Sequence, residues 1–438
     1  YLLGFPRISS TKEVCIEFIL AAQYLRPEFN GEEQSMKIDP KAAGFSPDRL
    51  SRLDEHLQTQ YLDSGKIKGC QTLVARRGVI AHFGSLGFAD EARGERVAED
   101  TIFRIYSMTK PVTSVALMQL YERGMFQLND PISRIIPGWK DPKVYVSGEG
   151  DQVITEPSRR PITFRHVLSH TAGLSYGNGE HAVDGCYQTA GLGRRSDFTL
   201  SEFTTALAGM PLRFHPGEAW LYSYATDVCG YLVEALSGQS FDDYLQSNIF
   251  EPLEMADSGF HVPGSKLERF AANYARRPDR SLSLIDDPMK STYGTPPTFL
   301  SGGGGLVSTT KDYFNFCEML RQRGQFKGRR LLSPRTLEMM TLNHLGADQD
   351  LSRMALGSFS ETAYEGIGFG LGFAMNLGEV AFGQIGDGDF YWGGAASTIF
   401  SVDPREELVI IFMTQLMPSS TFNFRGQLKN IVYGALDH

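Results

Sequence analysis

The chain has 438 residues, of which 42% are hydrophobic and 21% are charged, and its formal net charge is −9. This composition excludes a disordered chain, a collagen-like repeat and a small disulfide-rich protein. The acidic balance disfavours nucleic acid and anionic membranes as partners, because neutralising phosphate groups requires clustered lysine and arginine. No apolar run reaches the roughly 18 residues that a membrane-spanning helix needs, so we expect none.

Residues 1–35 are expected to be an extension outside the fold. Val14–Leu25 is slightly similar to the apolar region of a secretory signal, but Glu17 interrupts it and few basic residues precede it. We therefore expect a cytoplasmic protein, with secretion or export to the periplasm as the alternative. The five cysteines are scattered and form no CxxC pair, which favours reduced thiols over a disulfide framework or a zinc site. They are Cys15, Cys70, Cys186, Cys229 and Cys317.

The first element after the extension is a predicted helix that begins at Pro47 with Ser46 as its N-cap. A β-hairpin follows over residues 71–90, with its turn at Gly78. From residue 107 to about residue 300 the pattern is mostly helical, with proline and glycine in the loops. The C-terminal part returns to single strands over 365–373, 390–402 and 407–415, before a helix from about Asn423.

Strands at both ends with helices between them predict an α+β fold. One antiparallel sheet would be built from both terminal parts and flanked by helices, with an inserted, mostly helical lobe. We expect residues 36–115 and 300–438 to form an α/β sheet domain and residues 116–299 to form a helical domain. The active site would lie at the interface of these two domains.

The first candidate nucleophile is Ser175, in the pentapeptide Gly173–Gly177, which has the pattern G-x-S-x-G. In α/β-hydrolases this motif forms a tight turn between a strand and a helix, which exposes the serine. Here the preceding segment has helical spacing, and the Gly-Asn-Gly-Glu that follows predicts a loop. Because the structural context of the motif is missing, we expect Ser175 not to be catalytic.

The second candidate motif, S-x-x-K, occurs three times. Ser9–Lys12 falls in the expected extension. Ser308–Lys311 coincides with a helix start that Thr309 and Asp312 can cap, so it needs no catalytic explanation. Ser107–Lys110 instead opens a helix that is apolar on nearly every face and is therefore expected to be buried.

A helix beginning near Ser107 places Ser107 and Lys110 on one face, with their Cβ atoms roughly 5–6 Å apart. The serine lies at the positive end of the helix dipole. A lysine confined there is desolvated and close to cationic groups, and both conditions lower the pKa of its amine, so that it can act as a base toward the serine. For an isolated S-x-x-K motif, however, a helix start with a lysine that reaches solvent is the preferred interpretation.

Two further elements favour the catalytic interpretation. Tyr222 precedes a helix, on a turn made by Pro216-Gly217, where it can present its hydroxyl to a pocket, and Ser223 is expected to cap that helix. At Trp392–Gly394, paired glycines interrupt a β-rich segment. Glycines there permit a ligand to approach closely and leave strand N–H groups as hydrogen-bond donors.

Taken in order, Ser107-Met-Thr-Lys110, Tyr222-Ser223 and Trp392-Gly393-Gly394 resemble the serine β-lactamase and penicillin-binding-protein superfamily. The resemblance is closest to the family VIII carboxylesterases, which are similar to class C β-lactamases, and it spans residues 40–435. Supporting stretches are LNDPISRIIPGW at 128–139, LSHTAGL at 168–174, SGGGGLVSTTKDY at 301–313 and GFGLGF at 368–373. In that family, G-x-S-x-G pentapeptides outside the active site are not catalytic.

The resemblance implies acyl transfer through a covalent intermediate on Ser107, with Lys110 and Tyr222 sharing the proton transfer. Which of the two is the base stays open, because a lysine and a tyrosine in contact titrate as a unit. The N–H groups of Ser107 and of Ala395, expected on the strand after Gly394, would form the oxyanion hole. Trp392, Gly393 and Gly394 would complete the substrate-binding residues.

Two departures from the β-lactamase pattern matter for the expected activity. The Lys-Thr-Gly of β-lactamases is replaced by Trp392-Gly393-Gly394, and their Tyr-x-Asn is replaced by Tyr222-Ser223-Tyr224. A lysine can pair with the carboxylate of a β-lactam, whereas a tryptophan offers an apolar wall. The expected activity is hydrolysis of short-chain neutral carboxylic esters, with slow cephalosporin hydrolysis at most. The alternatives are a β-lactamase or D-amino-acid peptidase, an acyltransferase, and a penicillin-binding sensor without turnover.

No metal and no cofactor is expected. His166 and His170 lie four residues apart on a predicted helix, but the glutamate of HExxH and an evident third ligand are missing, so we expect structural hydrogen bonds. The sequence contains no Walker A loop and no G-x-G-x-x-G. Asp227 is expected to favour the helix N-terminus rather than to orient Tyr222. The expected partner is a small-molecule ester, and the oligomeric state stays open.

Overall fold

The structure, a computed structural model, describes residues 36–194, 197–346, 349–357, 364–381 and 384–437, without the side chains of 379–387. The predicted N-terminal extension, including Cys15 and the signal-like segment, lies outside the described residues. The described residues from Ile38 onward form one compact unit. The division of this unit into a sheet domain and a helical domain stays a prediction.

Several of the strands form from segments rich in β-branched and aromatic residues. In chain order the strands are β1 (Gly69–Arg76), β2 (Val79–Asp90), β3 (Glu95–Arg96), β4 (Ile102–Arg104), β5 (Lys143–Ser147), β6 (Ile154–Pro157), β7 (Asn273–Arg276), β8 (Leu282–Asp286), β9 (Val307–Thr309), β10 (Gln325–Phe326), β11 (Arg329–Arg330), β12 (Ile367–Phe369), β13 (Ala374–Ala381), β14 (Gln384–Gly393), β15 (Ile399–Asp403), β16 (Leu408–Thr414) and β17 (Leu416–Met417).

Eight of these strands form one antiparallel sheet, in the order β12-β13-β14-β15-β16-β1-β2-β3. Strands from the two ends of the described chain meet where β1 pairs with β16, with Leu73 opposite Ile411. This arrangement confirms the predicted α+β fold with an antiparallel sheet built from both terminal parts. The predicted hairpin also forms, as β1 and β2.

The helices cover both faces of the sheet, and they account for less than half of residues 107–300, which the sequence pattern predicted to be mostly helical. They are α1 (Pro47–Leu50), α2 (Arg52–Leu57), α3 (Thr109–Glu122), α4 (Phe164–Leu168), α5 (Ala182–Thr189), α6 (Leu200–Ala208), α7 (Ala225–Ser237), α8 (Phe241–Leu245), α9 (Thr310–Arg321), α10 (Pro334–Met340), α11 (Leu351–Met354) and α12 (Phe424–Gly434).

Alternation along β1 separates two hydrophobic cores. Leu73 contributes to the larger core, together with residues of α3 and α9, whereas Val74 contributes to a second core with residues of α1, α2 and α12. Every residue of β1 is therefore buried. Helix α3 runs through the larger core and is buried from Thr109 to Leu120, as its apolar sequence predicted.

The predicted single strand over 365–373 is wrong. The chain forms only the short β12, turns, and returns as β13 from Ala374. Gly372 has φ 97°, a left-handed conformation that glycine adopts without strain. A Cβ on Gly372 would lie 2.2 Å from Ser114 Oγ of α3, so the glycine lets this turn pack directly on the helix. The glycine spacing reflects a turn and a close contact rather than one face of a strand.

The predicted strand over 390–402 is also wrong, because two strands and a turn occupy this segment. β14 ends at Gly393 and β15 begins at Ile399, and Gly394 N–H donates to Thr398 O at 2.7 Å to close the turn. Ala395 therefore lies in a turn and not on a strand. A Cβ on Gly394 would lie 2.3 Å from Ile105 O, which explains why glycine stands where this turn meets the chain before Ser107.

The middle of the chain contains two hairpins that the helical pattern did not predict. β5 pairs with β6, and β7 pairs with β8 and, in parallel, with β17. His170 also departs from the prediction, because α4 ends at Leu168 and His170 has φ 55° in the following loop. The predicted C-terminal helix forms, and Asn423 caps it by accepting a hydrogen bond from Gly426 N–H at 2.9 Å.

Candidate active site

Ser107 lies in a single 3₁₀ turn, Tyr106–Met108, which leads directly into α3. Tyr106 has φ 42°, in the left-handed region that residues other than glycine rarely adopt. Asn273 Nδ2 of β7 donates to the Tyr106 hydroxyl at 2.9 Å and helps to hold this turn. Ser107 itself is half-buried, so its hydroxyl sits at a fixed, accessible start of a buried helix.

Lys110 contacts Ser107 one helical turn later. Lys110 Nζ lies 3.2 Å from Ser107 Oγ and 2.5 Å from Gly303 O, and the lysine is only 1% exposed. The structure therefore brings the predicted serine and lysine together on one helix face. An amine in this position can accept the serine proton when it is neutral, and can hold that proton for transfer when it is charged.

Tyr222 completes this arrangement from the segment before α7. Lys110 Nζ lies 4.4 Å from the centre of the Tyr222 ring, and Trp392 Nε1 donates to the Tyr222 hydroxyl at 3.1 Å. The ring of Trp220 stacks on that of Tyr222, with centroids 6.0 Å apart and an interplanar angle of 19°. Neighbouring rings and the hydrogen bond from Trp392 thus help to hold the phenol next to the lysine.

Ser223 was predicted to cap the helix after Tyr222, but α7 begins at Ala225 with Tyr224 in the N-cap position. The Ser223 hydroxyl instead accepts from Ala225 N–H at 3.4 Å and contacts His170 Nδ1 at 3.3 Å. The N-cap position therefore lies one residue after the predicted one.

His170 lies against the catalytic candidates without being one of them. Its ring centroid is 4.8 Å from that of Tyr222, and its Nε2 contacts Thr226 Oγ1 at 3.4 Å. Complete burial, and to a smaller extent the charge of Lys110, hold the pKa of His170 well below its usual value. His166 caps α4 together with Thr163, so both histidines make structural hydrogen bonds. In the described ranges, no group of three His, Cys, Asp or Glu residues could hold a metal.

The turn between β14 and β15 is the second wall beside Ser107. Its Gly394 packs against Ile105, two residues before the serine. Ala395, the next residue, is half-buried, and its N–H makes no hydrogen bond to the part of the chain that the structure describes. The N–H of Ser107 lies in the first turn of a helix, where N–H groups lack intrahelical acceptors. The assignment of these two N–H groups to an oxyanion hole stays a prediction.

Trp392 was predicted to line the substrate pocket. In the structure Trp392 is 1% exposed. Its ring centroid lies 5.4 Å from that of Tyr222 and 5.3 Å from that of Phe369. Its indole N–H is directed to the Tyr222 hydroxyl, which is a contact that the sequence did not reveal. A direct contact between Trp392 and a substrate stays a prediction, whereas its contact with Tyr222 is part of the structure.

Sequence reasoning did not identify Gly303 and Tyr176 as parts of the site. Gly303 lies in the loop 301–305, which the sequence showed only as a stretch similar to the family, and its carbonyl binds Lys110. Tyr176 belongs to the G-x-S-x-G pentapeptide, and its ring centre is 5.7 Å from Lys110 Nζ. The pentapeptide therefore contributes the ring of Tyr176 to the surroundings of Lys110.

Ser175 has a different environment from Ser107. It is 5% exposed, and its hydroxyl donates to Asp184 Oδ1, while Arg213 Nη1 pairs with Asp184 Oδ2 at 3.2 Å. The pentapeptide follows α4, and the next helix begins only at Ala182, so the strand–turn–helix context is missing as predicted. Ser175 satisfies a buried carboxylate.

Comparison with known proteins agrees with this geometry. The family model described as Beta-lactamase matches residues 55–432. The chain belongs to the β-lactamase family. Protein Rv1367c of Mycobacterium tuberculosis is 34% identical over 361 residues, which are 81% of this chain and 88% of that protein. Esterase EstB of Burkholderia gladioli is 30% identical over 395 residues, which are 86% of this chain and 93% of that protein.

Among solved structures, EstCE1, described as a hydrolase with promiscuous acyltransferase activity, superposes with a TM-score of 0.74 at 26% identity. The match covers 89% of this chain and 99% of EstCE1. Within the family, the chain is therefore a serine ester hydrolase of the family VIII carboxylesterase type, which confirms the predicted family and enzyme class. None of the described helices is long and apolar enough to cross a membrane.

Proposed function

We propose that the protein hydrolyses short-chain, neutral carboxylic esters through an acyl-enzyme on Ser107. The observation that carries this proposal is the contact of 3.2 Å between Lys110 Nζ and Ser107 Oγ, beside the ring of Tyr222. A serine needs an adjacent base to become a nucleophile, and this contact supplies one.

In the acylation step, Ser107 Oγ attacks the ester carbonyl carbon while its proton passes to the pair formed by Lys110 and Tyr222. The negative charge that develops on the carbonyl oxygen is stabilised by the N–H groups of Ser107 and Ala395. The bond between the carbonyl carbon and the alcohol oxygen then breaks, and the pair returns the proton to the leaving alkoxide. The acyl group remains on Ser107.

Deacylation reverses this sequence with water in place of the alcohol. Water attacks the acyl carbonyl carbon and loses a proton to the same pair, and the Ser107 oxygen leaves and recovers a proton. The contact from Trp392 Nε1 to the Tyr222 hydroxyl favours this exchange, because an N–H donor stabilises the phenol oxygen when it carries negative charge. Tyr222 can therefore share the proton with Lys110.

The preference for neutral esters is supported by the replacement of the strand lysine of β-lactamases by Trp392. The rings that pack around the lysine and the tyrosine, including those of Tyr176 and Trp220, carry no positive charge. A substrate carboxylate would lose its hydration here without gaining a cationic partner from residue 392.

The proposal is tested by comparing p-nitrophenyl butyrate with p-nitrophenyl hemisuccinate, which carries a carboxylate at the end of an acyl chain of similar length. We expect kcat/KM for the neutral ester to be higher by about tenfold or more, because an unpaired charge is costly to desolvate. A chromogenic cephalosporin is the third substrate. Cephalosporin turnover equal to that of p-nitrophenyl butyrate would contradict the proposal and favour a β-lactamase or peptidase.

Acyl transfer to an alcohol is the second candidate activity, and the similarity to EstCE1, whose description names promiscuous acyltransferase activity, favours it. The same acyl-enzyme would be attacked by an alcohol instead of water. The test is to add a primary alcohol and measure whether alkyl ester appears at the expense of free acid.

We retain a cytoplasmic location as a proposal, to be tested by cell fractionation.

A further inference from the structure

Asp227 is a completely buried carboxylate that the steps above do not use. It lies in the first turn of α7, where the sequence predicted only a favourable interaction with the helix N-terminus. Its Oδ1 instead accepts two hydrogen bonds from the glycine loop 301–305, from Ser301 Oγ at 2.6 Å and from Gly303 N–H at 3.2 Å. Asp227 therefore holds a loop that is remote in sequence from α7.

The same loop contacts the catalytic lysine. The carbonyl oxygen of Gly303 accepts from Lys110 Nζ at 2.5 Å, and Thr113 Oγ1 of α3 donates to Gly302 O at 2.7 Å. A Cβ on Gly303 would lie 2.7 Å from Asp227 Oδ2, so only glycine allows the carboxylate and the loop to approach this closely. Gly303 thus connects the two residues, because its N–H donates to Asp227 and its carbonyl oxygen accepts from Lys110.

We infer that Asp227 is a positioning residue for Lys110, which acts by fixing the Gly303 carbonyl. With that carbonyl fixed, one N–H of the lysine amine is engaged, and the nitrogen is held at 3.2 Å from Ser107 Oγ. Without it, the loop and the flexible lysine side chain can move together, and small misplacements of reacting groups reduce rates strongly. This inference rests on the proposed role of Lys110 in proton transfer.

The chain offers a matched control in Asp312. It occupies the third position of α9, as Asp227 does in α7, and it is 5% exposed. It also accepts one main-chain N–H, from Asp257 at 2.7 Å, and one serine hydroxyl, from Ser258 at 2.9 Å. Since these partners lie outside the loop 301–305, losing Asp312 removes a similar structural anchor without releasing the carbonyl that binds Lys110.

The test compares Asp227→Ala, Asp227→Asn and Asp312→Ala, with p-nitrophenyl butyrate as substrate and thermal unfolding as the measure of folding. We expect Asp227→Ala to lower kcat by about 30- to 100-fold with KM changed by less than about threefold, since the loss is one of positioning. Asp227→Asn should stay within about fivefold of the parent kcat, because its amide oxygen can accept the same two hydrogen bonds. Asp312→Ala should lower the Tm but leave kcat unchanged.

A fourth variant, Asp227→Glu, keeps the charge, leaves no void and displaces the accepting oxygens by one methylene. We expect it to lower kcat by about tenfold, more than Asp227→Asn does, since position matters more than charge. Equal loss of kcat in Asp227→Ala and Asp312→Ala would overturn the inference. The inference would also be overturned if Asp227→Asn were as inactive as Asp227→Ala, or if it were less active than Asp227→Glu.

A parallel measurement separates failure of this inference from failure of the proposed function. If Lys110→Met retained full activity, the proposed function itself would be wrong, whatever the Asp227 variants do. If Lys110→Met is inactive and Asp227→Ala is fully active, the proposed function stands and only the positioning role is refuted.

Discussion

Ser107 and Ser175 are the two serines that the hydrolase-like motifs leave to compare, and the group that faces each hydroxyl differs. Ser107 Oγ lies 3.2 Å from the amine of Lys110, whereas the Ser175 hydroxyl donates to the carboxylate of Asp184. Ser107 is half-buried and Ser175 is buried. The comparison teaches that a neighbouring base and access for a substrate define a nucleophilic serine, and that a five-residue pattern specifies neither.

The carboxylate beside Ser175, that of Asp184, also has a cationic partner. Arg213 pairs with it at 3.2 Å, and Ser175 supplies a second hydrogen bond, so a buried charge is satisfied from two sides. A carboxylate held in this way stabilises the loop around the pentapeptide. The Ser107 region has the opposite character, because its groups contact one another while leaving the serine accessible.

The largest expected effect distinguishes the two serines themselves. Ser107→Ala should lower kcat/KM for p-nitrophenyl butyrate by about 10⁵-fold, because the covalent route is lost. Ser175→Ala should change kcat/KM by less than about threefold and lower the free energy of unfolding by about 2 kcal/mol, the cost of a lost hydrogen bond to a buried charge. Steady-state kinetics and urea unfolding of both variants measure these quantities. A strong loss of activity in Ser175→Ala would break the comparison.

The next effect concerns the partner of each serine. Lys110→Met, which keeps much of the side-chain volume, should lower kcat by about 10³-fold because proton transfer loses its amine. Asp184→Asn should stay within about threefold of the parent kcat, since Asp184 binds Ser175 and Arg213 and not Ser107 or Lys110 in the described contacts. The measurement is kcat with saturating ester. Comparable losses in the two variants would show that both regions contribute to catalysis.

A smaller effect is expected for the tyrosine of each region. Tyr222→Phe removes the hydroxyl that Trp392 binds, and should lower kcat by about 10²-fold. Tyr187, whose hydroxyl accepts from Ser175 N–H at 3.4 Å, is the matched control. Tyr187→Phe should change kcat by less than about threefold. If Tyr222→Phe were as active as Tyr187→Phe, the proton-transfer role would belong to Lys110 alone.

The smallest effect concerns stability and pH. Burial holds the pKa of His170 well below its usual value, so the folded protein binds its proton less readily than the unfolded chain does. The contribution of His170 to the free energy of unfolding is fully present above about pH 6.5. It decreases as the pH falls, by up to about 1.4 kcal/mol per pH unit. His170→Asn should reduce this slope, measured by urea unfolding from about pH 7 to pH 5. His181 is less buried, so His181→Asn should reduce the slope of the free energy of unfolding against pH by less. An equal reduction in the two variants would contradict the assignment of this slope to His170.

Local patterns predicted the parts of the molecule in which contacts are close in sequence. The hairpin of β1 and β2, the buried helix α3 and the face shared by Ser107 and Lys110 all follow from residue spacing. The contact of Lys110 with Gly303 was not predictable in this way, because 193 residues separate the two. The same holds for Trp392 and Tyr222, which are 170 residues apart.

The two wrong strand predictions, over 365–373 and 390–402, share a physical origin in glycine. At Gly372 and Gly394, glycine allows a turn to press against α3 or against the chain before Ser107, and an alternating strand pattern carries no sign of that close approach. The turn before a helix and the paired glycines drew attention to Tyr222 and the Trp392 segment, and the family resemblance supplied their expected roles. It did not supply Asp227, because the carboxylate acts on a loop that only the folded chain brings near.

The most direct test of the comparison between the two serines is to label the protein with a fluorophosphonate and locate the adduct by peptide mass spectrometry. The reagent phosphonylates an activated serine and leaves an unactivated hydroxyl unmodified. The structure predicts a single adduct on the peptide that contains Ser107, lost in Ser107→Ala and retained in Ser175→Ala. An adduct on Ser175 would contradict the assignment of Ser107 and Lys110 as the catalytic pair.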